Sequence, residues 1–226
     1  MRRLVAALLR VDLRWAFRRV CWVGKWPPAL PDGPVIAYAN HHYFYDGHLA
    51  WLLFREQLRR PPTLWMAEWD RLPFFAAVGA QPFPPDDPAR RAATIRRTAR
   101  RFRAQPETVL AYYPAGTLHP PEDGVGAFDA SAAKRLAGLY PQARWWPYAA
   151  YVTWQNEAAP TALLTGGSAH EADGQERARL QACLQDLRHH LQAPTEDPVR
   201  TLLEGFGSLE KRWDFSFAAP FFERYL

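Results

Sequence analysis

Lysine is almost missing from this chain: only Lys25, Lys134 and Lys211 appear among 28 basic residues. The formal net charge of +5 is therefore carried by arginine. Arginine forks onto phosphate and is weakly hydrated, so its abundance suits anionic lipid, a phosphorylated cofactor or an acidic carrier protein. A biased base composition of the gene would give the same usage with no function attached. Cysteine is equally scarce. Cys21 and Cys183 alone build neither a disulfide framework nor a zinc knuckle, and they fit a reducing cytosol. Nowhere do the roughly 18 consecutive apolar residues of a membrane-crossing helix occur. Internal repeats, low-complexity tracts and an interdomain linker are also missing. No recognition module accompanies the arginines, so nucleic acid is not an expected partner. What is present is 48% hydrophobic and 14% aromatic residues in 226, with ten Trp. That is enough for the core of one large domain, with some Trp left to face lipid or a partner.

Residues 1–24, MRRLVAALLRVDLRWAFRRVCWVG, read as an amphipathic helix. Arg10, Asp12 and Arg14 interrupt the apolar stretch that a signal peptide needs. At helical spacing Arg3, Arg10, Arg14 and Arg18 form a stripe, and Leu4, Leu8, Val11 and Trp15 lie on a neighbouring face. Such a helix suits an anionic membrane surface; the alternative is packing on its own domain with the arginines in solvent. Residues 25–226 read as a single domain. Strands are expected at Pro34–Ala39, Thr63–Ala67, Thr108–Tyr113, Trp146–Trp154 and Thr161–Thr165. Helices are expected at Asp46–Leu58, Leu72–Val78, Ala89–Ala104, Asp129–Leu139, Glu171–Gln192 and Asp197–Arg212. The alternation predicts an α/β fold with a mostly parallel sheet flanked by helices. In such folds chemistry gathers at the carboxyl ends of the strands.

One such end carries ANHHYFYDGH, residues 39–48. His41 and Asp46 are spaced so that the carboxylate of a beginning helix folds back onto the imidazole. A carboxylate on one ring nitrogen fixes the tautomer and raises the basicity of the other. That arrangement takes a proton from an alcohol. Asp46 also reads as a plain helix cap with His41 merely nearby, and the two readings are compatible.

The segment Asn40-His41-x-x-x-x-Asp46 after an apolar strand resembles the NHxxxxD signature of glycerolipid and lysophospholipid acyltransferases, the 1-acylglycerol-3-phosphate acyltransferases among them. Three more blocks follow in order: Gly79-Ala-Gln-Pro-Phe83, Tyr113-Pro-Ala-Gly-Thr117 and Trp146-Pro-Tyr-Ala-Ala150. The resemblance covers roughly residues 35–155. It implies an acyltransferase-like fold and an O-acyltransferase on the cytoplasmic face of a membrane. His41 would be the general base and Asp46 its orienting partner. The donor would be acyl-CoA or acyl carrier protein, with no further cofactor and no metal. It also implies that Asn40, Gly79, Gly116 and Thr117 shape the substrate site, with amides around Gly116 and Thr117 facing an oxyanion.

Two positions depart from the family. Where the second block ends in a phosphate-holding Arg, this chain has Pro85. Where the third block has Glu, it has Ala115. Arg90 or Arg91 is the candidate substitute for the missing Arg. The two losses point to a neutral lipid acceptor, such as a glycolipid or a glycosylated carotenoid. Lysophosphatidate acylation with altered phosphate contacts stays open, as does a catalytically silent lipid-binding protein. His119 is a candidate substrate contact. A metal-dependent hydrolase would need His42, His48 and His119 to join His41 and Asp46 as ligands. The arginines of residues 90–103 read either as a solvated face or as a dock for phosphates, carrier protein or lipid headgroups. The aromatic stretch Trp213–Leu226 reads as core cover, acyl channel or membrane interface.

Overall fold

A computed structural model describes residues 1–27, 30–155, 157–192, 197–207 and 216–222. The chain opens with α1 (Arg2–Ala16) and β1 (Arg19–Val23), then β2 (Val35–Tyr38), α2 (Asp46–Trp51), β3 (Pro62–Met66), β4 (Ala80–Pro82) and α3 (Pro88–Ala104). It continues through β5 (Val109–Tyr112), α4 (Ala130–Leu139), β6 (Arg144–Thr153), β7 (Thr161–Gly166), α5 (Glu176–Gln192) and β8 (Val199–Glu204). All eight strands form one sheet in the order β4-β3-β5-β2-β6-β7-β1-β8. The β6–β7 and β1–β8 pairs are antiparallel and the rest are parallel. The fold is thus α/β with a mostly parallel sheet flanked by helices.

The central strand shows why. Val35–Tyr38 is buried at every position, as a parallel strand covered on both faces must be. Strand alternation sends Val35 and Ala37 to one face, where Val5, Leu9 and Leu13 of α1, Leu49 of α2 and Val78 complete a core. Ile36 and Tyr38 point to the other, against Phe102 of α3, Leu136 of α4 and Leu180 of α5. α3 starts where Asp87 accepts the Arg90 amide at 2.8 Å and Pro88 takes the first helical position.

Several expected elements change. The N-terminal helix ends at Ala16, and Arg19–Val23 is a strand inside the sheet rather than more helix. Four of its five residues are buried, and burial on both sides favours sheet pairing. The arginines expected as a free stripe are mostly tied to the protein itself. Arg10 pairs with Glu56 and Arg18 with Glu157, and Arg14 donates to the Glu204 carbonyl at 3.1 Å. Leu4, Leu8, Val11 and Trp15 remain exposed, at 61%, 56%, 43% and 59%. The helix from Asp46 widens to a π-helical turn at Leu52–Gln57. The long helix begins at Glu176 rather than Glu171, because Glu176 accepts the Asp173 and Gly174 amides and closes a turn there. Within the helix expected at Asp197–Arg212, Val199–Glu204 is instead an edge strand on β1, with Thr201 opposite Cys21. β1 was read as helix, so its open edge and the strand that covers it were both hidden. Residues 208–212, and the aromatic stretch apart from 216–222, lie outside the described residues.

The second block begins at Gly79, which ends the 3₁₀ turn Pro73–Val78 with φ +110°. A Cβ there would stand 2.2 Å from the Pro62 carbonyl oxygen. Gly79 is therefore a place where the backbone crosses β3 closely, and it does not line the cavity described below. Gly79→Ala is expected to lower unfolding stability by more than about 1 kcal/mol, measured by denaturant titration.

Candidate active site

The parallel pairing of β2 with β5 and β6 sets Tyr38 opposite Tyr112 and Pro147. The segments leaving β2 and β5 therefore emerge side by side. Asn40 is the first fixed point beyond β2. Its side-chain oxygen accepts the Ala150 amide at 3.0 Å, and its side-chain nitrogen donates to the Ala150 carbonyl at 2.7 Å. The same nitrogen reaches His42 Nδ1 at 3.0 Å. With 1% of its surface exposed and both amide atoms engaged, Asn40 holds β2 to β6. The sequence suggests a substrate contact there, and the structure corrects that to a positioning role.

His41 follows. Its Nδ1 lies 2.9 Å from Asp46 Oδ2. That oxygen also accepts the amides of His42 and Tyr43 at 2.8 and 3.0 Å. Three donors converge on one carboxylate oxygen of a side chain only 2% exposed. The Asp46 carboxylate thus fastens the turn before α2 and is the partner of His41; the N-cap of α2 is Tyr45, with no side-chain cap, so the plain helix-cap reading does not hold. The His41 ring stacks on Tyr113, with centroids 4.5 Å apart and planes at 22°. Tyr148 donates to the Tyr113 hydroxyl at 3.3 Å. Among the described residues Nε2 of His41 has no hydrogen-bond partner, and the ring lines a cavity of about 1340 Å³.

Of the other predicted site residues, Gly116, Thr117 and Arg91 line this cavity. The Gly116 amide donates to the Tyr113 carbonyl at 3.0 Å, so it closes a turn and is not free for an oxyanion. The Thr117 amide has no partner among the described residues. Arg90 turns outward into a two-pronged pair with Asp70 at 2.8 and 2.9 Å, which holds the Asp70 carboxyl below its ordinary range. It does not line the cavity. His119 does not either. Its amide donates to the His41 carbonyl at 3.1 Å, and its ring packs edge-on to His42 at 4.7 Å. Pro85 and Ala115 both line the cavity. Tyr113 and Arg135 also line the cavity, Arg135 paired with Asp129 at 3.4 Å, and neither is a site candidate on sequence grounds. An aromatic residue directly after β5 was the available signal for Tyr113. Arg135 depends on how α4 packs.

The histidines do not converge as metal ligands. His42 Nε2–H donates to the Gly124 carbonyl at 2.7 Å while Nδ1 accepts from Asn40, which fixes a neutral ring. His48 sits 3.5 Å from Asp12. A separate His170, Asp173 and Glu176 group brings donor atoms within 4.8 Å of one another. Arg179 already fills the cation's role there, with two 2.6 Å contacts to Asp173.

The structure places an oriented imidazole, a free Nε2 and an apolar cavity together. Ser and Cys are not among the described lining residues. The only aliphatic hydroxyl among the described lining residues is that of Thr117. No family model matches the chain, and no curated protein matches it in sequence.

Burial pushes the His42, His48 and His170 imidazoles below their ordinary value of 6.5, against weaker opposing contributions from the Gly124 carbonyl, Asp12 and the Glu171 carbonyl. The unfolded chain therefore binds more protons below that value, and stability is present above it and lost as pH falls. Unfolding free energy is expected to fall from about pH 7.5 to about pH 5.5, and less steeply in His42→Gln. A stability that is flat or rises on acidification in denaturant titrations would contradict buried neutral rings.

Proposed function

We propose that this protein is an O-acyltransferase that moves a fatty acyl group from an acyl thioester to a lipid hydroxyl. The observation that carries the reading is the 2.9 Å His41–Asp46 pair at a cavity lined mostly by apolar side chains. Asp46 holds the proton on Nδ1, so Nε2 takes the proton of the acceptor hydroxyl. The oxygen attacks the thioester carbonyl and a C–O bond forms. The Thr117 amide stabilises the tetrahedral oxyanion. The C–S bond then breaks, and the imidazolium returns the proton to the departing thiolate. No acyl-enzyme is required, which suits described lining residues that include no Ser or Cys.

The four ordered blocks that resemble those of glycerolipid acyltransferases support the same reading and an acyltransferase-like fold. Pro85 and Ala115 line the cavity where that resemblance leads one to expect Arg and Glu. Their side chains offer no charge, which favours a neutral lipid alcohol over a phosphorylated acceptor. The donor is acyl-CoA or acyl carrier protein.

The protein works as a peripheral enzyme at the cytoplasmic face of a membrane. The ridge Leu4, Leu8, Val11 and Trp15 supports this reading, and Phe206 extends it, 5.2 Å from Trp15. Since Arg10, Arg14 and Arg18, three of the four arginines of the expected stripe, are engaged internally, the apolar ridge rather than a basic stripe drives α1 docking. No helix among the described residues is long and apolar enough to cross a membrane.

His41→Ala is expected to lower acceptor-dependent thiol release from long-chain acyl-CoA by about 10²–10⁴, with the fold kept by circular dichroism. Wild-type turnover that survives the substitution would sink the mechanism. Leu4→Glu with Leu8→Glu is expected to weaken sedimentation with lipid vesicles by at least about tenfold and to leave melting unchanged, since both side chains are exposed.

A further inference from the structure

The cavity is larger than one ligand needs. Its 1340 Å³ exceeds the roughly 300–1,000 Å³ of ordinary small-molecule sites. It also straddles the sheet. Leu64 and Trp65 are neighbours in β3 and point to opposite faces, yet both line it. On one side the wall is Leu9 of α1, Trp51 of α2, Leu64, Phe75 and Val78. On the other it is Trp65, Ile95 of α3, Tyr112 and Leu136 of α4, with Phe83 stacked on Trp65 at 4.5 Å. The backbones of β3 and β5 separate these lobes below. Above, they join over the carboxyl ends of the strands, where His41 and Pro114–Thr117 stand.

Resting on the acyl-transfer reading, we infer that the two lobes hold two chains at once. The acyl chain of the donor lies between α3 and α4, and the apolar part of the acceptor lies between α1 and α2. Charge and exposed surface decide which lobe is which. Arg91 lines the α3 lobe beside the Phe83 ring, at 6.0 Å, and forms no ion pair among the described residues. Along the same helix Arg96, Arg97, Arg100 and Arg103 are exposed, without an acid anywhere in α3. A thiol carrier bearing phosphates is attracted there. The α1 lobe has the opposite character. Its cation Arg71 is paired with Glu68 at 2.9 Å. Leu9, which lines it, belongs to the helix that carries the exposed Leu4 and Leu8. An acceptor lipid enters from that side with its hydroxyl uppermost, and the two heads meet at His41. The acceptor class that follows is an amphiphile with its own apolar chain.

The test uses the full chain and one filling substitution in each lobe, Ile95→Trp and Val78→Trp. A non-transferable thioether of hexadecanoyl-CoA reports donor binding by calorimetry without any turnover. Ile95→Trp is expected to weaken it about tenfold, and Val78→Trp to leave it unchanged. Equal weakening by both, weakening by Val78→Trp alone, or no binding to the wild type overturns the assignment. A hexanoyl analogue is expected to bind the wild type and Ile95→Trp alike. Should a filling variant melt early, Ile95→Ala replaces it, with tighter binding of longer acyl chains expected and an unchanged chain-length profile overturning the assignment. In turnover with a long-chain alkyl glucoside, Val78→Trp is expected to raise acceptor KM about tenfold. A wild type that binds the analogue with this pattern but never releases thiol refutes acyl transfer and leaves the donor lobe standing. Repeating the binding arm with acyl carrier protein after Arg96→Glu and Arg97→Glu separates a nucleotide carrier from a protein carrier.

Discussion

The two-way hydrogen bond between the Asn40 side chain and the Ala150 backbone is the constraint from which the site is built. A parallel sheet aligns strand ends but leaves the segments beyond them free to wander. Asn40 removes that freedom one residue before His41, through hydrogen bonds of 2.7 and 3.0 Å to the β6 backbone. Its buried amide has no water to fall back on, so releasing the clamp leaves several polar groups unpaired, each at about 1–3 kcal/mol. From this point the chain turns, His42 locks to Gly124, and α2 begins with Asp46 already against Nδ1 of His41.

The imidazole is therefore held from two directions. In its plane, Asp46 fixes Nδ1. Across its face, Tyr113 stacks, and Tyr113 is itself held by Tyr148. Burial drives both phenols well above their ordinary ionisation range, so they stay neutral and leave the charge balance to the His–Asp pair. A third tie is the His119 amide on the His41 carbonyl, which fastens the loop after β5 to the loop after β2. His119 thereby contributes through its backbone, although its side chain drew attention in the sequence.

The parts legible in the sequence are those set by neighbours close along the chain. The strand before His41, the HxxxxD spacing and the helices α3 and α4 are set locally, and the α/β class follows from the alternation of strands and helices. The errors fall where a distant partner decides. Arg19–Val23 has no breaker before it and reads as more helix until β7 and β8 claim it on both edges. Val199–Glu204 is half polar and becomes a strand only because β1 offers an open edge. The basic stripe of α1 looks free until Glu56 and Glu157, remote in sequence, take Arg10 and Arg18. Asn40 and Gly79 stand out in the pattern, and their contacts in the fold are with the Ala150 backbone and with β3. The pattern shows that a residue is constrained without showing by what.

Cavity shape and chemistry then argue for each other. A mechanism with a covalent acyl-enzyme lets donor and acceptor occupy one binding site in turn, since the donor's carrier leaves before the acceptor arrives. Direct transfer from thioester to hydroxyl has no such interval. Both substrates must be present when Nε2 of His41 takes the proton, and each brings an apolar chain that needs its own wall. The proposed reaction takes the second route, in keeping with described lining residues that include no Ser or Cys, and a cavity that reaches both faces of the sheet at β3 offers the space for it. The division also has a consequence for selectivity. Under the proposed two-chain arrangement β3 and β5 stand between the lobes, so a change in the depth of one would leave the other untouched, and donor chain length and acceptor structure would be set by different residues on different helices.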